Sequence, residues 1–256
     1  MRIELGQSLP TITKLQYLSK RLEVPIDTFL ENKELALPEE YFKIKYRIMK
    51  SPVYGDSKRI TEKLTLIEEV YNYYGDILPE EELLSLDLIR TGTGSFAEDI
   101  FDDYFKQVTL KQVYTFNDLL LIDYFVMQCQ DLIYRREQLD DFRIKLLKQQ
   151  LVSDEMYNVE LLSVLCAIAG VYVVHNDYKH MTSLVKKMNE ILSVAMLQVY
   201  KPGILVFEAK YYLYFENDKN KAKELYHSAT ILAEQFDDKV FIKNLKLEIE
   251  KNLGEE

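Results

Sequence analysis

From Pro38 to the C-terminus the chain repeats one pattern, in which apolar residues recur at spacings of three and four. The 256 residues include only 8 Gly and 6 Pro, too few for a fold of many short strands and tight turns. The segment 56–74 is typical, because its apolar residues fall on one helical face: Ile60, Leu64, Ile67, Val70 and Tyr71. The pattern predicts an all-α protein in which helix follows helix.

The starts of several predicted helices resemble one another. Pro38-Glu39-Glu40 and Pro79-Glu80-Glu81 each combine a proline suited to a first helical turn with carboxylates at the positive end of the helix dipole. Beyond the segment 56–74, the pattern predicts helices over 96–108, from Thr115 or Asn117 to Gln128, and over 139–150, 153–175, 178–196, 202–215, 221–235 and 238–253.

The last helix pair indicates the repeat type. Its small and aromatic residues occur where a tetratricopeptide-like unit brings two helices close together: Ala209, Tyr212, Ala222, Tyr226 and Ala229. Earlier pairs match this pattern less well, so we expect a degenerate tetratricopeptide-like superhelix over residues 37–256. The concave face of such a superhelix suits an extended peptide.

Residues 1–36 form a separate segment. A helix with Ile12, Leu15 and Leu18 on its apolar face ends before Pro25, and a short second helix follows, which is too little to fold alone. Five basic and five acidic residues balance there, so the net charge of −10 lies entirely in residues 37–256. An acidic surface repels phosphate, which excludes nucleic-acid binding as a property of the whole chain.

Known catalytic and metal-binding patterns are missing from the sequence. His175, His180 and His227 lack the spacing of a metal site, and Gly92 and Gly94 lack the lysine of a phosphate-binding loop. We therefore expect neither an enzyme nor a cofactor, and interpret the histidines as surface residues rather than metal ligands.

The cysteines and the apolar runs bear on the cellular compartment. Cys129 and Cys166 lie in apolar stretches and are interpreted as buried reduced thiols, with a disulfide as the alternative. No signal peptide is visible, and the apolar run 161–174 predicts a buried helix rather than a membrane span. The expected compartment is the cytoplasm.

The predicted helix 153–175 contains candidates for a ligand groove. Asn158, Ser163, Cys166, Ala167 and Gly170 interrupt its bulky apolar residues. Small residues can simply admit a neighbouring helix. Alternatively, Ser163 and Ala167 belong to the floor of a groove in which the Asn158 amide bonds a ligand backbone, since an amide donates and accepts without charge.

Polar residues on two earlier helices are further candidates. Asn117 and Asp123 on the apolar helix 117–128 could contact a ligand in the same way as Asn158. Lys63 lies in the middle of an apolar helix, where a lysine is usually a solvated charge with its stem along the surface. If it faces the concave side instead, it can pair with an anionic group such as a peptide carboxylate.

Several stretches carry a resemblance to a known family. RIELGQSLPTITKLQYLSKRLEVPIDTFL resembles the closing part of a phage-repressor-like helix-turn-helix domain. LPEEYFKIKYRIMKSPVY, LTLIEEVYNYYGDILPEEELLSLD and YKPGILVFEAKYYL are similar to the ComR-type streptococcal competence regulators of the Rgg group. The resemblance extends over nearly the whole chain, with residues 1–36 as the end of a helix-turn-helix domain whose front is missing.

The resemblance implies a cytoplasmic receptor for an imported short hydrophobic signalling peptide, which dimerises on binding and activates transcription of competence genes. Lys63 matches the family lysine that receives the peptide carboxylate, and Glu80 the acidic position that holds the DNA-binding domain at rest. Gly55 stands where better-known relatives carry a basic residue, which implies a different peptide specificity. The alternative class is a helical-repeat adaptor that binds a protein partner on an exposed apolar patch.

The resemblance also sets an expectation for DNA. Specific readout requires a recognition helix in the major groove and basic residues at the phosphates. Residues 1–36 retain neither the front of the helix-turn-helix nor a net positive charge. We expect promoter DNA to be a partner of the intact regulator but not of this chain alone.

Overall fold

The computed structural model describes residues 17, 19–21, 37–50, 56–92, 102–131, 135–195 and 197–254. Within these ranges the chain is built from α-helices, with one 3₁₀ helix and no strand. The helices are α1 (Glu39–Lys50), α2 (Ser57–Tyr74), α3 (Glu80–Gly92), α4 (Asp102–Leu110), α5 (Phe116–Asp131), α6 (Arg136–Leu147), α7 (Glu155–Val174), α8 (Met181–Ala195), the 3₁₀ helix η1 (Gln198–Tyr200), α9 (Lys201–Tyr214), α10 (Lys219–Gln235) and α11 (Lys239–Leu253).

Aspartate side chains begin four of these helices. Asp56, Asp154, Asp218 and Asp238 precede α2, α7, α10 and α11, and each accepts a hydrogen bond from a backbone N–H in the first turn. Such caps satisfy donors that the helix itself leaves unpaired. At the other end of α11, Gly254 adopts a left-handed φ of 67° and its N–H bonds to the Glu250 carbonyl.

Most successive helices pack as neighbours, and a second set of contacts joins alternate helices. α9 packs against α10, and α10 against α11, while α5 lies between α3 and α7. This arrangement of stacked helix pairs confirms the predicted all-α tetratricopeptide-like fold. The helix-turn-helix remnant predicted over residues 1–36 lies outside the described residues, apart from Tyr17 and residues 19–21, which are helical.

The centre of the core is α7. It contacts α1, α5, α6, α8 and α9, and twelve of its twenty side chains are buried. Within the described residues α7 is the one helix long and apolar enough to cross a membrane, and 67% of its most apolar window is buried inside the protein. A helix covered by its neighbours in this way belongs to the core of the stack.

Truncating a side chain at the centre of α7 should destabilise the whole stack. Leu165 is 0% exposed, and replacing a buried leucine with alanine costs about 2–5 kcal/mol because the cavity collapses only partly. We expect Leu165→Ala to lower the free energy of unfolding by that amount in a urea titration followed by circular dichroism. Val174→Ala, at a position 59% exposed on the same helix, is the control and should change little. Equal stabilities of the two variants would contradict the central position of α7.

Candidate functional site: an interior cavity with buried charges

A cavity of about 620 Å³ lies between the first helices of the stack and the segment that leads into α11. Arg47 and Lys50 of α1 line one part of it, and the α2 residues from Arg59 to Leu66 line another. Val199 and the segment 236–238 complete the wall. The cavity is therefore bounded by helices far apart in the sequence but adjacent in the stack.

An ion pair joins two parts of the chain that are far apart in the sequence at this cavity. Arg59 Nη2 of α2 lies 2.7 Å from Asp238 Oδ1, across a sequence separation of 179 residues. Both side chains are largely buried, and Asp238 also caps α11 through the Phe241 N–H. The start of α11 is thus tied directly to the wall of the cavity.

Lys63 of α2 lines the same cavity and interacts with two carboxylates from other helices. Burial lowers the pKa of its ammonium, while Glu160 of α7 and Asp123 of α5 act in the opposite direction. Lys63 is half-buried at the wall of the cavity, which Thr61, Glu62 and Thr65 of the same helix also line, and its role as a ligand contact stays a prediction. The helices α2, α5 and α7 bring this cation and the two acids within electrostatic reach of one another.

The two acids bind protons unusually well for carboxyl groups. Burial raises the pKa of Asp123 to about 6, against the effect of Lys63. Burial and the nearby Asp123 raise the pKa of Glu160 well above its ordinary range, again against Lys63. A carboxyl group removed from water loses the hydration that favours its charged form, so it binds its proton more tightly.

Glu160 was not among the residues predicted from the sequence. Its side chain is 3% exposed, and its Oε1 atom has no hydrogen-bond partner among the described residues. A buried polar atom without a partner is costly, and it often marks a place where a ligand or a water binds. The signal available in the sequence was a charge in an otherwise apolar helix, which is the argument that singled out Lys63.

The predicted groove residues on α7 lie on its least covered face. Ser163, Cys166, Ala167 and Gly170 are half-exposed, whereas most of their neighbours on the helix are buried. Both cysteines are free thiols, but Cys166 is not fully buried as expected, and its Sγ lies 3.7 Å from Met188 Sδ of α8. Groove-floor roles for Ser163 and Ala167 remain predictions.

The two predicted amides are already bonded within the protein. The Asn158 side chain donates to the Val152 carbonyl and accepts from the Val152 N–H, which fixes the loop before α7. Asn117 Oδ1 accepts a hydrogen bond of 2.6 Å from Ser85 Oγ, which links α5 to α3. Neither residue interacts with the Lys63 cluster, although each retains bonding capacity, and their ligand contacts remain predictions.

Two other predicted positions lie apart from this cluster. Glu80 is exposed at the start of α3, and the segment predicted to contact it lies outside the described residues, as does Gly55. In the part of the chain that the structure describes, no group of three or more side chains is suited to a metal ion. The fold and the cavity define a tetratricopeptide-like repeat protein with a charged interior site.

Comparison with known proteins assigns the family. The family model for the ComR tetratricopeptide domain matches residues 38–249. Curated protein sequences gave no match. By the extent of the family match, the chain belongs to the ComR family.

Solved structures of ComR proteins resemble the chain closely. ComR from S. thermophilus, solved with DNA and its signalling peptide ComS, is 35% identical with a TM-score of 0.83, over 96% of this chain and 87% of that one. ComR from Streptococcus vestibularis with its cognate signalling peptide XIP is 34% identical with a TM-score of 0.80, over 85% and 99%. The apo form of the S. vestibularis protein is 36% identical with a TM-score of 0.75, over 98% and 87%.

The electrostatic link between Lys63 and Asp123 can be tested without a ligand. Lys63 favours the charged form of Asp123, whose pKa is about 6, so Lys63→Met should raise that pKa further. Carbon-13 NMR titration of the Asp123 carboxyl measures this shift. Lys58→Met removes an exposed lysine from the same helix and should leave the Asp123 titration unchanged. An Asp123 midpoint that is the same in the wild type and in Lys63→Met would show that the two groups do not interact.

Proposed function

We propose that this chain is the sensor part of a cytoplasmic, peptide-regulated transcription factor that controls competence genes. It acts by binding a short hydrophobic signalling peptide in the interior cavity and performs no catalysis. The relatives solved with signalling peptides and DNA support this proposal, because they share the fold over nearly the whole chain.

The observation that carries the proposal is the position of Lys63 on the cavity wall, next to an acidic pair. Moving a free peptide carboxylate into such an interior is costly unless a cation meets it. The cations Arg47, Lys50, Arg59 and Lys63 all line this wall, and Lys63 is the one at the position where the ComR resemblance expects the carboxylate contact. Lys63 is therefore the proposed contact for the C-terminus of the peptide.

A comparison of acid and amide peptides tests this contact. A charge-assisted hydrogen bond contributes about 1.5–3 kcal/mol, so Lys63→Met should weaken binding of a free-acid peptide roughly tenfold to a hundredfold. Amidation of the peptide should lower the affinity by a similar factor in the wild type and by much less in the variant, because both changes remove the same contact. Calorimetric titration with the ComS and XIP peptides of the two relatives, and with hydrophobic sequence variants of them, measures these affinities.

The titrations are best made at about pH 6, where protonation of Asp123 lowers its competition for Lys63. Methionine retains the apolar stem of the lysine, and Lys58→Met, which changes an exposed lysine of α2, is the matched control. Failure of all these peptides to bind, or an amidation penalty that survives in Lys63→Met, would refute the proposed site. Binding to an outer surface, as in an adaptor protein, would likewise be insensitive to Lys63.

We further propose that peptide binding produces a homodimer through α11. Leu245 and Leu253 of this helix are buried against the stack, whereas Leu247 is 58% exposed. An exposed leucine on the last helix of a stack provides apolar area for a second copy, and symmetric dimers are the commonest oligomers.

Replacing this leucine should weaken the dimer without unfolding the chain. We expect Leu247→Ser to raise the dissociation constant of the peptide-bound dimer at least tenfold, since full burial of a leucine contributes about 1.5–3 kcal/mol and a symmetric dimer loses this side chain from both copies. Analytical ultracentrifugation with saturating peptide measures this. Val174→Ser, at a position 59% exposed, is the matched control. An unchanged dimer in Leu247→Ser would show that α11 does not form the interface through this residue.

A further inference from the structure

The proposed carboxylate site contains an imbalance of charge. Among the residues that the structure describes, Lys63 is the cation that acts on both Asp123 and Glu160, and a peptide carboxylate would bring a third acid to the same place. If Asp123 stayed ionised, it would repel the incoming carboxylate while competing with it for Lys63. In a site shielded from water such repulsion is weakly screened, so carboxyl groups that share one site cannot all be ionised.

We propose that Asp123 and Glu160 complete the carboxylate site as neutral acids, and that binding of a free-acid peptide takes up one proton from solvent. The peptide carboxylate then accepts hydrogen bonds from the Lys63 ammonium and from a neutral carboxyl O–H. Charge balances in this step: the free site holds ionised Lys63, ionised Asp123 and neutral Glu160. The complex holds ionised Lys63, the peptide carboxylate and two neutral acids. This inference deepens the proposed peptide binding and rests on it.

The geometry supports this role for Glu160. Its side chain is 3% exposed and interacts with both Lys63 and Asp123, yet its Oε1 atom has no hydrogen-bond partner among the described residues. A protonated glutamate has both a donor and an acceptor to offer. A ligand carboxylate held at Lys63 would provide the partner that the free site does not.

The other ionisable groups near the cluster do not replace Asp123 in this role. Cys166 of α7 interacts electrostatically with Asp123, and burial together with that carboxyl raises the thiol pKa to about 12, so the thiol stays neutral.

The charged groups on the other walls of the cavity have partners of their own or are exposed. On α1, Lys50 lies 2.6 Å from Glu155, and Arg47 also has an interaction partner. On α2, Arg59 pairs with Asp238, and the exposed Glu62 lies 3.8 Å from Lys58. Asp237, before α11, is exposed.

Whether the affinity for the peptide rises or falls with pH depends on whether the free protein or the complex binds more protons. Asp123 has a pKa of about 6 in the free protein, and a neighbouring peptide carboxylate raises that pKa in the complex. Below about pH 6 Asp123 is protonated in both states, so the affinity for the free-acid peptide is constant. As the pH rises above about 6, only the complex keeps the proton, and the affinity falls by up to about tenfold per pH unit.

Two titrations measure the proton uptake on peptide binding directly. Calorimetry with the tightest free-acid peptide in buffers of different ionisation enthalpy gives the number of protons taken up, and we expect about one at pH 7.5. A series between about pH 5.5 and 8 should show the affinity falling with rising pH for the acid peptide and much less for its amide. Both peptides share the same N-terminal amine, so the difference between them isolates the carboxylate site.

Substitutions identify the group that takes up the proton. Asp123→Asn mimics the neutral acid, so it should abolish most of the proton uptake and bind the acid peptide at about pH 8 at least tenfold more tightly than the wild type. Glu160→Gln keeps a neutral hydrogen-bond donor and should retain the proton uptake. Asp76→Asn, at an exposed turn position, is the matched control and should behave as the wild type. Carbon-13 NMR should also show the Asp123 midpoint rising when the peptide is added.

Different results would contradict the proton uptake and the proposed function. If the acid peptide binds through Lys63 with no proton uptake and no pH dependence beyond that of the amide, Asp123 is not a neutral acid in the complex and the inference is overturned. If Asp123→Asn weakens binding of the acid peptide, the ionised carboxylate is needed and the inference is again wrong. If acid and amide bind equally in the wild type at about pH 6, the proposed Lys63 contact fails, and if neither peptide binds, the proposed function itself fails.

Discussion

The packing of α7 determines the rest of this structure. Neighbours cover the helix on most of its surface, so it can carry an almost continuous apolar sequence without exposing it to water. Small residues lie on its less covered face, and the Glu160 side chain is buried. α5 and α2 bring Asp123 and Lys63 to that carboxyl group. The position of the charges therefore depends on the same contacts that hold the stack together.

Buried charges of this kind are a poor way to stabilise a fold. Removing an ammonium and two carboxyl groups from water costs more than their mutual attraction returns unless hydrogen bonds complete the arrangement. The raised carboxyl pKa values and the lowered lysine pKa express that cost, since each group moves toward its neutral form. A ligand that bonds to these groups can recover part of the cost. This cost agrees with the proposal that the cluster is a binding site rather than a structural element.

The helices could be predicted closely from the sequence because their signals are local. The predicted starts of α2, α7, α10 and α11 lie within two residues of the observed ones, and the structure shows an aspartate cap at each of them. The site could be predicted only in part. Lys63 and Asp123 were singled out, but Glu160 was passed over for Asn158, whose amide bonds to the loop at Val152. Whether an amide faces a ligand or its own loop depends on backbone geometry, which residue spacing does not specify.

Contacts between distant parts of the chain could not be derived from patterns. Arg59 and Asp238 are 179 residues apart. Neither is unusual in its local sequence, because Arg59 lies in a helix rich in charge and Asp238 follows another aspartate. The packing of the helices brings them together at the cavity. The same packing places Lys63, whose spacing is typical of a solvated helix face, on the wall of that cavity.

The central claim is that a signalling peptide binds inside the stack with its C-terminal carboxylate at Lys63. A crystal structure of this chain with the tightest free-acid peptide tests that claim most directly. The account predicts a carboxylate oxygen within about 3 Å of Lys63 Nζ, the distance of a charge-assisted hydrogen bond, with Asp123 and Glu160 around it. A peptide bound on the outer surface, or one whose C-terminus points away from Lys63, would contradict it.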